Sequence, residues 1–231
     1  MAPRAKLHLS GNRDADALIS RNAFALLVGM VLDQQIPLEW AFTAPLLLAE
    51  RMGGAPLDAA HVASADPDEL AELFRARPAL HRFPGSMAAR VQDLAKVIES
   101  EYGGAAERIW TTTASGKELV RRVEALPGFG AQKAKIFVAL LGKQLGVQPE
   151  GWREASRPFG EEGSTLSIAD ITSPETLALV REHKRQMKAA ATQGVPAAPA
   201  GGKQKAATKR PAAAKAASGR AVARTTARTR S

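Results

Sequence analysis

Two helix-forming segments, residues 118–125 and 131–144, are joined only by Leu126-Pro127-Gly128-Phe129-Gly130. A connection this short makes the two helices antiparallel neighbours, so it constrains the fold more than any other feature of the chain. Pro127 fixes one φ angle, and Gly128 and Gly130 admit positive φ, which lets the backbone reverse. Leu126 or Phe129 can then plug the gap between the helices. The turn also has a chemical reading. The amides of Gly128 and Gly130, with the unpaired N–H groups of the following helix, form a concave donor set suited to an anion. A backbone phosphate of DNA is such an anion, and contacts of this kind position it without reading sequence. A plain glycine turn would have the same letters, so the turn alone leaves both readings open.

The rest of residues 1–190 also reads as helices. Phe24, Leu27, Val28, Val31 and Leu32 follow the i, i+3, i+4, i+7, i+8 spacing of one buried helix face. Ile36-Pro37 breaks that segment, and Pro37 opens the next, which stops near Gly53-Gly54. Asp66, Pro67 and Glu69 supply an N-cap, a first-turn proline and an acid three residues after the cap. Ser86 is expected to cap a helix with the stripe Met87, Val91, Leu94 and Ile98, ended by Gly103-Gly104. Ser115 and Glu118 are expected to form a capping box before the hairpin, and Ser173-Pro174 opens a last helix. Long alternating strand patterns are missing, so the expected fold class is all-α.

The chain has no cysteine, which excludes disulfides, cysteine-ligated zinc and cysteine-held iron–sulfur clusters. His8, His61, His81 and His183 show no ligand spacing, so no metal or other cofactor is expected. The apolar run Ala23–Leu32 is too short for a bilayer. The first residues lack a signal-peptide pattern, so the expected location is cytoplasmic, without membrane association.

Net charge is +9, and its distribution is uneven. Residues 184–231 hold 12 Lys and Arg and no acid, leaving 20 basic and 23 acidic residues in 1–183. From residue 191 on, the sequence is rich in Ala, Pro, Gly, Thr, Lys and Arg and has no aromatic residue. It cannot bury enough apolar surface to offset its ordering entropy, so 191–231 is expected to be a disordered tail. Its cations Lys203, Lys205, Lys209, Arg210, Lys215, Arg220, Arg224, Arg228 and Arg230 are expected to contact DNA phosphates, giving a nucleoid-associated protein.

The hairpin letters resemble the "LPGxGxxxA" pattern of the HhH-GPD superfamily of base-excision DNA glycosylases, of the endonuclease III, MutY and AlkA type. The matching positions are Leu126, Pro127, Gly128, Gly130 and Ala134. Upstream, "VGMVLDQQIPLEWAF" is similar to the family's glutamine segment, and "FPGSMAARVQDLAKVIESEYGG" to the helix before its hairpin. The resemblance implies two helical subdomains around a cleft within residues 1–190, the hairpin spanning 118–144. It also implies a monomer that binds double-stranded DNA in base-excision repair. Leu126, Pro127, Gly128, Phe129, Gly130, Gln132 and Lys133 would be the hairpin's DNA contacts. Gln34 and Gln35 would lie near an extruded base. Without the hairpin, that pair would read as surface amides at a helix end.

The family's chemistry is less legible. Its lyase members need an amine two residues after the second hairpin glycine, where this chain has Gln132, an amide that cannot form a Schiff base. Lys133 lies about 100° further around the helix and is expected to face solvent or a phosphate. Excision is therefore expected to be monofunctional, with water attacking the sugar. The family's aspartate in the loop after the hairpin helix has no counterpart, and an ungapped count falls on Glu150, the candidate catalytic carboxylate. Glu150 also reads as a charged loop residue. Glu154, Asp170 and Asp33 are further acids, and Trp40, Trp152 and Phe159 could wall a base pocket or belong to the core. The alternative function is a non-catalytic DNA binder on the same scaffold, a damage sensor or nucleoid-associated protein.

Overall fold

Small polar residues set where the helices begin in the computed structural model, which describes residues 7–54 and 56–193. Asn12 caps α1 (Arg13–Arg21) by accepting from the amides of Asp14 and Ala15. Asn22 ends α1, and its side chain accepts from Ala25 N–H to start α2 (Ala23–Leu32). One residue thus closes a helix and opens another bent 116° from it. Every residue of α2 except Ala23 is buried, so this helix is a central rod of the core. α3 (Leu38–Arg51) packs on it where Gly29 makes room for Phe42; a Cβ there would stand 2.6 Å from the ring.

α4 (Ala59–Ser64) and α5 (Pro67–Arg75) pack against α6 (Pro84–Tyr102). Asp66 caps α5 as expected, accepting from the amides of Asp68 and Glu69. Two other starts differ from expectation. α6 begins at Pro84, whose missing N–H costs nothing in a first turn, and the Ser86 hydroxyl turns back to donate to the Phe83 carbonyl at 3.3 Å. After α7 (Arg108–Thr111), Ser115 caps α8 (Gly116–Glu124) by accepting from Glu118 N–H. The Glu118 carboxylate does not return the bond; it accepts from Arg122 at 2.5 Å and Thr113 at 3.1 Å. Only half of the expected box forms, because a nearby guanidinium is the stronger donor.

α8 and α9 (Ala131–Gln144) form the antiparallel pair that the short connection dictates. α10 (Trp152–Ala155), a 3₁₀ turn at Ile168–Asp170 and α11 (Pro174–Gln193) follow. Trp152 fills the space beside both hairpin helices. A Cβ on Gly142 would lie 2.4 Å from its indole, and one on Gly116 would lie 2.4 Å from its Cα. Lys143 pairs with Asp170 at 2.6 Å and ties α9 to the 3₁₀ turn. The β pairing among the described residues is one isolated parallel bridge, Ser115 with Glu150, and the fold is all-α. No single helix among them is long and apolar enough to cross a membrane. α11 runs past the expected boundary at residue 190. Residues 194–231, with the tail cations from Lys203 to Arg230, lie outside the described residues.

Candidate nucleic-acid interface

The hairpin turn is built from both sides. Leu126 is buried between the helices, and its carbonyl accepts from Phe129 N–H at 3.1 Å. Phe129 is half-buried and meets Phe137 edge-on, with centroids 5.8 Å apart. Gly128 has φ +86°, and a Cβ there would lie 3.0 Å from both Arg90 Cδ and Val31 Cγ1. Gly130 is the N-cap of α9 in extended conformation, and no side chain caps this helix start. Among the described residues, the amides of Gly128, Gly130, Ala131, Gln132 and Lys133 make no hydrogen bond. Gly130, Ala131 and Gln132 are exposed, so these donors and the positive end of the α9 dipole face outward.

The two glutamines part company. Gln34 is folded back: its Nε2 donates to the Val31 carbonyl at 2.7 Å and approaches Met87 Sδ at 3.5 Å. Gln35 is exposed and holds a left-handed backbone with φ 57°, a conformation that costs a non-glycine residue about 1–2 kcal/mol. Buried His81 stabilises this turn. Phe83 N–H donates to His81 Nδ1 at 3.0 Å, which places the ring proton on Nε2 for the 2.8 Å bond to the Gln34 carbonyl. The link leaves two exposed side chains beside it, Gln35 and Phe83, the latter 43% exposed with the Arg82 guanidinium 4.8 Å from its ring centroid. Phe83 and Arg82 escaped the sequence reading. A single aromatic before a proline carries no periodic signal, and only its exposure marks it.

Beside the hairpin lies a cleft of about 920 Å³. Gly130, Ala131, Gln132 and Lys133 form one side of it, with Ile136 deeper along α9. Met30 and Asp33 come from the end of α2. Pro158, Phe159, Leu166, Ser167 and Ile168 come from the segment between α10 and α11, and His183 from α11. The walls are mostly apolar, with few polar groups. Lys133 does not face solvent or a phosphate as expected. Its Nζ donates to the carbonyls of Met30 at 2.7 Å and Val31 at 3.4 Å, at the C-terminal end of α2. Burial pushes its ammonium below the usual lysine value, the Asp33 charge opposes that shift, and Arg90 adds to it. The cation offsets the negative end of the α2 dipole.

The other candidates fall elsewhere. Glu150 is exposed beyond the C-terminal end of α9, its N–H bonded to Ala114 O at 3.1 Å and its carbonyl to Gly116 N–H at 2.7 Å, and it does not line the cleft. Glu154 is exposed on α10. Asp170 is occupied by Lys143, Ser164 and the amides of Leu166 and Ser167. Trp40 donates to the Ala79 carbonyl at 3.0 Å, and Trp152 belongs to the core, which leaves Phe159 as the one of the three proposed aromatics in the cleft.

A family model described as "HhH-GPD superfamily base excision DNA repair protein" matches residues 28–196. No curated protein and no solved structure matches the chain significantly.

Proposed function

Since the chain belongs to the HhH-GPD superfamily of base excision DNA repair proteins, we propose that it is a monofunctional DNA N-glycosylase acting on a base drawn out of duplex DNA. The observation that carries this reading is the cleft beside the uncapped α9 N-terminus. Its volume of about 920 Å³ lies within the range of ligand pockets, roughly 300–1,000 Å³, and its few polar groups stand among apolar walls. The free amides before α9 would hold a phosphate, and Gln35 and Phe83 would occupy the stack as the base leaves it. Water, not an amine, attacks the sugar. Gln132 is an amide, and the Lys133 ammonium is bonded to α2 carbonyls.

A second reading, a DNA binder without catalysis, draws on one observation: Glu150, the ungapped counterpart of the family's aspartate, does not line the cleft. The two separate in a panel of duplexes carrying uracil, 8-oxoguanine, alkylated bases or mismatches. The glycosylase gives strand breaks on one class after alkali and none before. Tight duplex binding with no product on any member would establish the second reading.

A further inference from the structure

Resting on the glycosylase reading, we propose that the catalytic carboxylate of this chain is Asp33, supplied from the end of α2 and not from the loop after α9. Among the described residues that line the cleft, Asp33 is the only acid. Glu150 lies past the far end of a 14-residue helix, about 21 Å along its axis from the hairpin turn. Asp33 has a fixed place. It is the C-cap of α2, with its N–H bonded to Gly29 O at 3.0 Å, so the buried helix holds the backbone from which its side chain projects. The Lys133 ammonium, bonded to the carbonyls one turn back, stands across from it and attracts it.

Asp33 also borders a second cavity, of about 580 Å³, lined by Ile36, Pro37, Leu38 and Glu39 on one side and Leu177, Val180, Arg181 and Arg185 on the other, with Arg181 paired to Glu39. The carboxylate therefore stands where two compartments meet. A base enters the first, and water reaches the sugar from the second. As the C1′–N bond breaks, its electron pair leaves on the base, which takes a proton from solvent. The water oxygen bonds C1′ and passes its proton to Asp33. Before that bond forms, the carboxylate faces the positive charge growing on the sugar. Apolar walls make this attraction stronger than it would be in water.

The test reads binding as well as turnover, so it does not depend on knowing the lesion. Duplexes with a pyrrolidine abasic site, cationic at neutral pH, are compared with duplexes carrying a neutral tetrahydrofuran site. Wild-type protein is expected to prefer the cationic site by about 10-fold or more, as an enzyme complementary to a cationic transition state must. Asp33→Asn removes the preference, leaves tetrahydrofuran binding in place and lowers excision by about 10²-fold or more. Asp33→Glu, which restores the charge, retains the preference, and this holds the test open should Asp33→Asn be unstable. A preference that survives Asp33→Asn, or is lost in Glu150→Gln, overturns the assignment alone. A wild-type protein blind to both abasic sites overturns the glycosylase reading together with it.

Discussion

At the scale of single residues, the two glycines of the hairpin turn do different work, and the difference is measurable. Gly128 has positive φ and is pressed against Arg90 and Val31. Alanine there must adopt the left-handed conformation, which costs about 1–2 kcal/mol, and must push aside contacts already at 3.0 Å. Gly128→Ala is therefore expected to lower Tm by roughly 2–8 °C for a domain of this size, and to weaken duplex binding with it. Gly130 has ordinary extended backbone, and no atom lies within 4 Å of the place an alanine Cβ would take. Gly130→Ala is expected to cost about 1 kcal/mol or less, since it changes only the N-cap residue type. On the proposed reading it would still set a methyl group in the path of the phosphate. Calorimetry and duplex titration on the pair should show stability lost mainly in the first, with binding lost in both.

At the scale of elements, Lys133 couples α9 to α2, and that coupling has a pH signature. Burial lowers its folded-state value, so the ammonium is less favourable in the folded protein than in the unfolded chain. Below the folded value both states are protonated and the full cost is present. Between that value and the ordinary lysine value near 10.4, the unfolded chain binds the extra proton, so stability rises with pH. Wild type is thus expected to gain stability relative to Lys133→Met as pH climbs toward about 10, in paired urea titrations at pH 7, 8.5 and 10. A difference that stays flat would mean that burial does not penalise the ammonium.

The helices themselves were largely readable in the sequence. The stripe from Phe24 to Leu32, the Asp66 cap and the Gly103 stop are local signals, and each stands where its chemistry predicts. The cleft was not readable in this way. Lys133 meets Met30 across a sequence separation of 103 residues, and nothing in the letters between them records that contact. Counting along the chain from the hairpin led to Glu150, because a count assumes that the loop after α9 returns to the cleft. The Ser115–Glu150 bridge holds that stretch of the loop against the start of α8 instead. Asp33 was one of several acids in the letters, and only the packing of α2 against α9 sets it at the cleft and separates a folded-back Gln34 from an exposed Gln35.

At the scale of the whole molecule, the charge distribution predicts that attraction to DNA and docking on it are divided between different parts of the chain. Residues 194–231 hold nine Lys and Arg and no acid, which leaves 23 basic and 23 acidic residues in 1–193. A body without net charge has little long-range pull on a polyanion, whereas the segment from Lys203 to Arg230 has a strong one. On the proposed reading, the hairpin amides would add short-range contacts that fix orientation. If six of the nine charges engage phosphates, log K falls with log salt about 5 units more steeply than it does for the hairpin alone, at about 0.9 per phosphate. Ending the chain at Gln193 is then expected to flatten the salt dependence by that amount. Affinity at 50 mM salt would drop by orders of magnitude, while excision per bound complex would be little changed, because the cleft is formed by residues 30–183. Fluorescence anisotropy at several salt concentrations, with single-turnover excision at saturating protein, measures the two separately. A slope unaltered by the truncation would move the attraction back onto the helical body, to Arg82, Arg90 and the cations around the hairpin.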